Sequence, residues 1–397
     1  MFEDVINFIQ KMYQTTDFIP LHEPRFVGNE KQYLNECIDS TFVSSVGKFV
    51  DKLEERISKY TGSKYAIATS SGTSALHVSL LLSDVNENHL VIVPNITFIA
   101  SVNSIRYTGA SPIFIDVCPK TWQMDLDLLE DYLMNKTRQV DGVCLCHETN
   151  KPIKAIMPVH VLGNMGDIEK LCEVAKKYNI TVIEDSTEAL GSHFKKKHAG
   201  TFGKFGCFSF NGNKILTTGG GGMIVTDDKA LATKAKHITT QAKSDSFEYI
   251  HDEVGYNYRL VNILAAIGVA QMEMLPSFID KKHEVAEFYK DKLTKFGIQF
   301  PETTKEMFQN NWLITINVGE HKVKLIEHLT KLNIQVRPLW KPMNQLSMFK
   351  QCNYVNNDNI SQALYESCIS LPCSTNIKKT DLQDIIVAFE QYYNKRL

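Results

Sequence analysis

The chain has 397 residues, 43% hydrophobic and 22% charged, which fits a folded globular protein with a large core and excludes a disordered or low-complexity one. Lys plus Arg number 43 against 45 Asp plus Glu, so the formal charge is -2 and the pI is near 6.6. That balance argues against a chain built to grip nucleic acid, and any anionic ligand must be held locally.

The opening stretch, MFEDVINFIQKMYQTTDFIP, has acidic residues at 3 and 4 and no unbroken apolar core, so it predicts an amphipathic helix over residues 1–20 and not a secretory signal. Short apolar runs such as 65–68 and 91–94 fall far below the roughly 18–20 residues of a membrane span. Nine singly scattered cysteines suit a reducing compartment, and a soluble cytoplasmic protein is expected. Runs rich in Val and Ile follow at YAIAT (65), LVIVP (90), SPIFIDV (111), AIMPVHV (155) and ITVIEDS (180). Between them SALHVSLLL (74) and IEKLCEVAKKY (168) repeat apolar residues every three and four positions, as amphipathic helices do. Alternation of this kind predicts an α/β fold with a mostly parallel sheet, helices on both faces and function at the strands' carboxyl ends. Cys144, Cys146 and His147 could supply metal ligands, but no second half with zinc spacing follows; the alternative is a strand running into the polar loop ETNK. Near Met274–Pro276 a long charged helix begins a glycine-poor third, so residues 1–275 are expected as a large domain and 276–397 as a small α+β one. Within it WLITINV (312), LIEHLTKL (325), IQVRPLW (334) and a helix after Lys379 are the predicted elements.

Three segments fall where strands of this sheet should end. Ser70-Ser71-Gly72-Thr73-Ser74 follows YAIAT and opens a helix, aiming free N–H groups and hydroxyls at one point, which makes either an anion site or a simple cap. Glu184-Asp185 closes the strand ITVIEDS with a carboxylate that wants a cationic partner; a metal ligand or a helix cap are the other readings. Glu188 either joins that site or completes a capping box. Lys214 lies in a partly apolar segment between Ser209 and four glycines, 219–222, that permit a tight turn. A lysine there is either a solvated loop residue or one whose amine is made nucleophilic by burial.

The segments SSGTSAL, PNITFIASVNSI, IEDSTEALGS, FSFNGNK and GYNYRLVNILAAIG, in this order, resemble those of the DegT/DnrJ/EryC1/StrS sugar aminotransferases over about residues 18–395. The resemblance implies the fold type I architecture, with a mostly parallel seven-stranded sheet, and pyridoxal phosphate alternating with pyridoxamine phosphate. It implies Lys214 as the lysine that holds the cofactor, Asp185 as partner of the ring nitrogen, Phe98 stacked on the ring and Glu188 beside it. Gly72, Thr73 and Ser209 would cradle the phosphate, and Asn257 would reach the phosphate of a neighbouring subunit's cofactor, making a homodimer with shared sites. Phe98 could instead be an ordinary core aromatic. His160, Arg259 and Arg337 are candidates for the substrate, against readings as a structural histidine and surface ion pairs. Many relatives carry an acidic residue where this chain has Gly220. PLHEPRFVGNEKQYLNECIDSTFVSSVGKFV, DVCPKTWQMD and VRPLW are most similar to the LegC-type branch. That implies amino transfer from L-glutamate to C4 of a nucleotide-linked 4-keto-6-deoxy sugar, UDP-2-acetamido-4-keto-2,6-dideoxyhexose, for bacillosamine- or legionaminic-type glycans. A GDP- or dTDP-linked sugar is the alternative, as is a sugar dehydratase; in dehydratase relatives a histidine replaces the lysine. A cofactor-binding regulator or a silent structural subunit is the non-enzymatic alternative, but no basic helix-turn-helix is visible, and neither nucleic acid, membrane nor metal is expected as a partner.

Overall fold

A computed structural model describes residues 18–245 and 247–394, so nearly all of the helix expected over residues 1–20 lies outside the described residues. The strands of the main sheet are β1 (Tyr65–Thr69), β2 (Leu90–Pro94), β3 (Ser111–Ile115), β4 (Ile153–Ile156), β5 (Thr181–Asp185), β6 (Phe205–Ser209) and β7 (Gly222–Thr226). The short apolar runs read from the sequence form β1 to β5. Central strands such as β2 and β7 are buried at all five positions, which is why their sequences are continuously apolar and do not alternate. Helices α1 (Glu30–Asp39), α2 (Lys48–Thr61), α3 (Gly72–Leu81), α4 (Ile99–Tyr107), α5 (Leu126–Asn135), α6 (Ile168–Lys177) and α7 (Lys229–Thr239) surround the sheet. Helix α6 shows the local logic: Asp167 caps its start by accepting from Lys170 N–H at 3.0 Å, and Ile168, Leu171, Val174 and Ala175 are its buried stripe.

The chain then enters α8 (Asn262–Leu293), a helix of 32 residues with Pro276 inside it. The boundary expected between residues 275 and 276 therefore falls within a continuous helix. Among the described residues α8 is long and apolar enough to cross a bilayer, but 61% of its apolar window is buried, and it packs against α1 and α2. Beyond it lie β8 (Ile314–Asn317), α9 (Lys322–Lys331), β9 (Arg337–Pro338), β10 (Asn353–Val355), α10 (Ile360–Ser367), β11 (Cys368–Leu371) and α11 (Lys379–Asn394). Strands β8, β11 and β9 form a small antiparallel sheet in that order.

The main sheet has eight strands in the order β1-β7-β6-β5-β4-β2-β3-β10. All neighbours are parallel except β7, which runs against both β1 and β6. Seven strands match the expected large-domain sheet. The eighth, β10, comes from the C-terminal third and has too short an apolar pattern to be read from sequence. Backbone pairing places it: Asp116 N–H donates to Val355 at 2.9 Å, and the Asp116 carboxylate accepts from the N–H groups of Ile360 and Ser361. The N-terminal strap crosses to the same region, where Ile19 pairs with Ile334 and Cys373 N–H donates to Leu21 at 2.8 Å.

Candidate active site

A cavity of about 580 Å³ opens where β1, β5 and β6 end, the edge at which open α/β sheets bind ligands. Ser71 caps α3 by accepting from Ser74 N–H at 3.0 Å, and Gly72 and Thr73, in the first turn where backbone N–H groups lack a partner within the helix, line the cavity. Close approach explains two glycines. A Cβ on Gly72 would sit 2.8 Å from Ser209 Cβ, and one on Gly222 would sit 2.5 Å from the Ser71 carbonyl carbon. The turn after β1 thus lies flush against β6 and β7, and Ser209 lines the same wall.

Asp185, at the end of β5, is 1% exposed; its Oδ2 accepts from the Ser101 hydroxyl at 2.6 Å and its Oδ1 from Thr187 N–H at 3.2 Å. Lys214 stands on the turn after β6, where its N–H donates to Asn211 at 3.0 Å. Burial lowers the Lys214 pKa, while the Glu188 and Asp185 carboxylates act to raise it. Lys214 Nζ is 3.6 Å from Glu188 Oε1 and 3.8 Å from the centre of the Trp312 ring. Glu188 Oε2 accepts from Leu162 N–H at 2.8 Å, and burial pushes the Glu188 carboxyl up to about 7. Leu162 lines the cavity with φ 61°, a left-handed conformation that costs a non-glycine residue about 1 kcal/mol.

The raised Glu188 pKa has a defined sign. A carboxyl that ionises at about 7 when folded and near 4.5 when unfolded contributes stability below pH 4.5 that is lost as pH rises to 7. Lys214 offsets part of this when charged. We predict that Glu188→Gln leaves denaturant-unfolding stability unchanged near pH 4 and raises it, by on the order of 3 kcal/mol at most, near pH 8. Equal stability of the two proteins at pH 8 would refute a buried carboxyl that resists ionisation.

Gly72, Thr73, Phe98, Asp185, Glu188, Ser209, Lys214 and Arg337 all line this one cavity, although they come from five separate stretches of the chain. Phe98 is 53% exposed at the start of α4, so it is a wall residue and not a core aromatic. His160 and Arg259 lie off this wall, as does Asn257, which is expected to serve a neighbouring subunit's cofactor. His160 is turned to the opposite side from Val159, which does line the cavity; its Nε2 pairs with Glu184 Oε2 at 2.9 Å. Glu184 in turn accepts from the N–H groups of Gly200, Phe202 and Gly203, so His160, expected as a substrate residue, is placed in a buried hydrogen-bond network behind the wall. Asn257 is exposed and off the cavity wall. Arg259 pairs by its backbone with Thr69 and is likewise absent from the wall. Gly220 lines the cavity with open space where a Cβ would go.

Sequence reading missed Ser101, Leu21, Leu162, Trp312 and Trp340, all on the wall. Trp312 and Trp340 were legible only as parts of WLITINV and IQVRPLW, and nothing in spacing ties either to Lys214. Cys144 and Cys146 are buried in the hairpin of Thr137–Val140 and Val143–Cys146, in contact with Thr137 and Tyr132. The His237, Asp252 and Glu253 cluster has ligand-like spacing, but its members pair with one another and none lines the cavity.

The cavity's donor set suits pyridoxal phosphate on the structure's own terms. A buried carboxylate would face the cationic ring nitrogen, a largely buried lysine of lowered pKa would meet the aldehyde, and the start of α3 would meet the phosphate. Comparison with known proteins agrees. The model of the DegT/DnrJ/EryC1/StrS aminotransferase family matches residues 24–390. The GDP-perosamine synthase of Escherichia coli O157:H7 is 39% identical over 96% of this chain and 100% of its own length. The UDP-4-amino-4,6-dideoxy-N-acetyl-beta-L-altrosamine transaminase of Campylobacter jejuni is 29% identical over 84% of this chain and 87% of its own. Among solved structures, Helicobacter pylori PseC superposes with a TM-score of 0.82 at 26% identity, covering 96% of this chain and 100% of its own. Family and fold coincide across nearly the whole sequence, and the family's enzymes are pyridoxal phosphate-dependent sugar aminotransferases. The chain belongs to the DegT/DnrJ/EryC1/StrS aminotransferase family.

Proposed function

We propose that this enzyme moves the amino group of L-glutamate to C4 of a nucleotide-linked 4-keto-6-deoxy sugar. The observation that carries the reading is Lys214, a largely buried amine of lowered pKa that shares one cavity with the Asp185 carboxylate and the start of α3. Lys214 would hold the cofactor, Asp185 its ring nitrogen, and Gly72, Thr73 and Ser209 its phosphate, with Phe98 against the ring face and Glu188 beside the lysine. Bound there, pyridoxal phosphate supplies an electron sink and carries the amino group between the two substrates. The chain's own groups handle the protons. Lys214 Nζ takes the proton from the α-carbon of the donor in one half of the cycle and delivers a proton to C4 of the sugar in the other. Burial keeps a fraction of that amine neutral, and Glu188, whose carboxyl titrates at about 7, can take up or return charge beside it.

The nucleotide is read as UDP, with 2-acetamido-4-keto-2,6-dideoxyhexose as the sugar, on the resemblance to the LegC-type branch. Identity of 39% to a GDP-perosamine synthase supports GDP as the second reading. Arg337, on the cavity wall, is the cation proposed for the diphosphate, because a guanidinium forks onto phosphate oxygens. We also propose a cytoplasmic homodimer in which Asn257, exposed on the segment that pairs with Thr69 and Ser70, serves the neighbouring site.

A panel of UDP-, GDP- and dTDP-linked 4-keto-6-deoxy sugars, incubated with L-glutamate and followed by mass and NMR, tests the reading. The expected product is a UDP-linked 4-amino sugar with one equivalent of 2-oxoglutarate. A GDP-linked product alone selects the second reading, and no amination of any sugar would overturn both. Light scattering of the same preparation is expected to give twice the 45.1 kDa chain mass, and a monomer would remove the shared-site proposal.

A further inference from the structure

Trp312 belongs to the segment before β8, in the C-terminal third, yet it meets the turn that carries Lys214. Its indole Nε1–H donates to the Asn213 carbonyl at 2.6 Å, one residue before the lysine. Its ring face lies 3.8 Å from Lys214 Nζ. The tryptophan is itself fixed from several sides. It is 3% exposed, its N–H donates to Asn310 Oδ1 at 2.9 Å, and its carbonyl accepts from the buried Lys282 Nζ at 2.8 Å. Asn310 also donates to the Glu188 carbonyl at 2.8 Å, so one amide ties Trp312 to the backbone of the carboxylate that flanks Lys214 from the other side. Trp340 lies nearly parallel to it, at 13° with centroids 6.5 Å apart.

We propose that Trp312 is the positioning residue for Lys214, holding the lysine's turn through the indole N–H and its ammonium head through the ring face. This inference rests on the reading of Lys214 as the cofactor lysine. An aromatic face attracts an ammonium and not a neutral amine, so the contact acts only while Lys214 is free and protonated. It then opposes the effect of burial, which favours the neutral amine. Trp312 therefore gives the free, protonated lysine a fixed place, 3.6 Å from Glu188.

The test uses the full-length protein freed of cofactor. Acylation of Lys214 by acetic anhydride is followed against pH by peptide mass mapping in wild type, Trp312→Phe and Trp312→Leu. The expected result is a midpoint that falls in the order Trp, Phe, Leu, with Lys214 of the leucine variant about ten-fold more reactive below the midpoint. Loss of packing alone would admit water and relieve the burial of Lys214, so a midpoint that stays in place or rises in the variants overturns the proposal. If the leucine variant does not fold, the wild-type and phenylalanine midpoints decide. Borohydride reduction of the cofactor-loaded wild type, with mapping of the labelled peptide, judges the underlying reading separately. Label on a lysine other than 214 refutes that reading, whereas label on Lys214 with unmoved midpoints refutes only the role of Trp312.

Discussion

Lys214→Ala is expected to lower transamination by about 10⁴-fold or more, the largest effect of any single substitution in this protein. The residue is proposed for two tasks, holding the cofactor and moving a proton, and alanine removes both. Its neighbours offer no replacement. The Glu188 carboxylate lies beside it but is tethered by the Leu162 N–H, which donates to its Oε2 at 2.8 Å. Glu188 also cannot form the covalent link. Lys214→Arg makes the sharper comparison, because it keeps the positive charge and much of the length. A guanidinium stays protonated at any working pH, so it cannot take a proton from carbon. Both variants are expected to be equally inactive, measured as 2-oxoglutarate released from L-glutamate in a single turnover with cofactor-loaded protein. Retention of more than about one-hundredth of wild-type rate by the arginine variant would show that charge, and not proton transfer, is what Lys214 supplies.

Asp185→Asn is expected to cost about 10²–10³-fold in the same assay, the range found when one preorganised electrostatic partner is removed. The substitution preserves shape almost atom for atom. What changes is charge: a buried carboxylate that would keep the ring nitrogen protonated becomes a neutral amide. The surroundings are arranged for the carboxylate, since Ser101 Oγ–H and Thr187 N–H both donate to it, at 2.6 and 3.2 Å. Asparagine can keep both contacts only if the Ser101 hydroxyl turns to accept, and it no longer offers a negative charge to the ring nitrogen. Ser101→Ala should have the smaller effect, because it removes one orienting bond and leaves the charge. If Asp185→Asn were within a factor of a few of wild type while Ser101→Ala was severely impaired, the carboxylate would be structural and the ring-nitrogen assignment would fail.

The sequence alone determined the parts of this protein whose physics is local. Continuous apolar runs such as LVIVP specify buried strands, the three-and-four spacing in IEKLCEVAKKY specifies a helix face, and the order of these elements specifies a parallel α/β sheet. Residues at strand ends were legible for the same reason. Asp185, Ser209 and the Ser71-Gly72-Thr73 turn reach the cavity because a parallel sheet brings all its carboxyl ends to one edge. Motif resemblance then supplied the family, and with it the special status of one lysine among many. Only the tertiary structure decided which side chains at that edge face inward. Val159 and His160 are neighbours with opposite fates, and the sequence holds no signal for which one turns to Glu184. Only the fold brought Leu21, Trp312, Trp340 and Arg337 to the wall, because the strap near residue 19 and the small sheet of β8, β11 and β9 close over the large one. The same holds for β10, a strand created by its partner β3 and by the Asp116 carboxylate, not by any pattern of its own. Contacts of this kind join residues separated by nearly a hundred positions or more, and their energy lies in shape and electrostatics that periodicity does not encode.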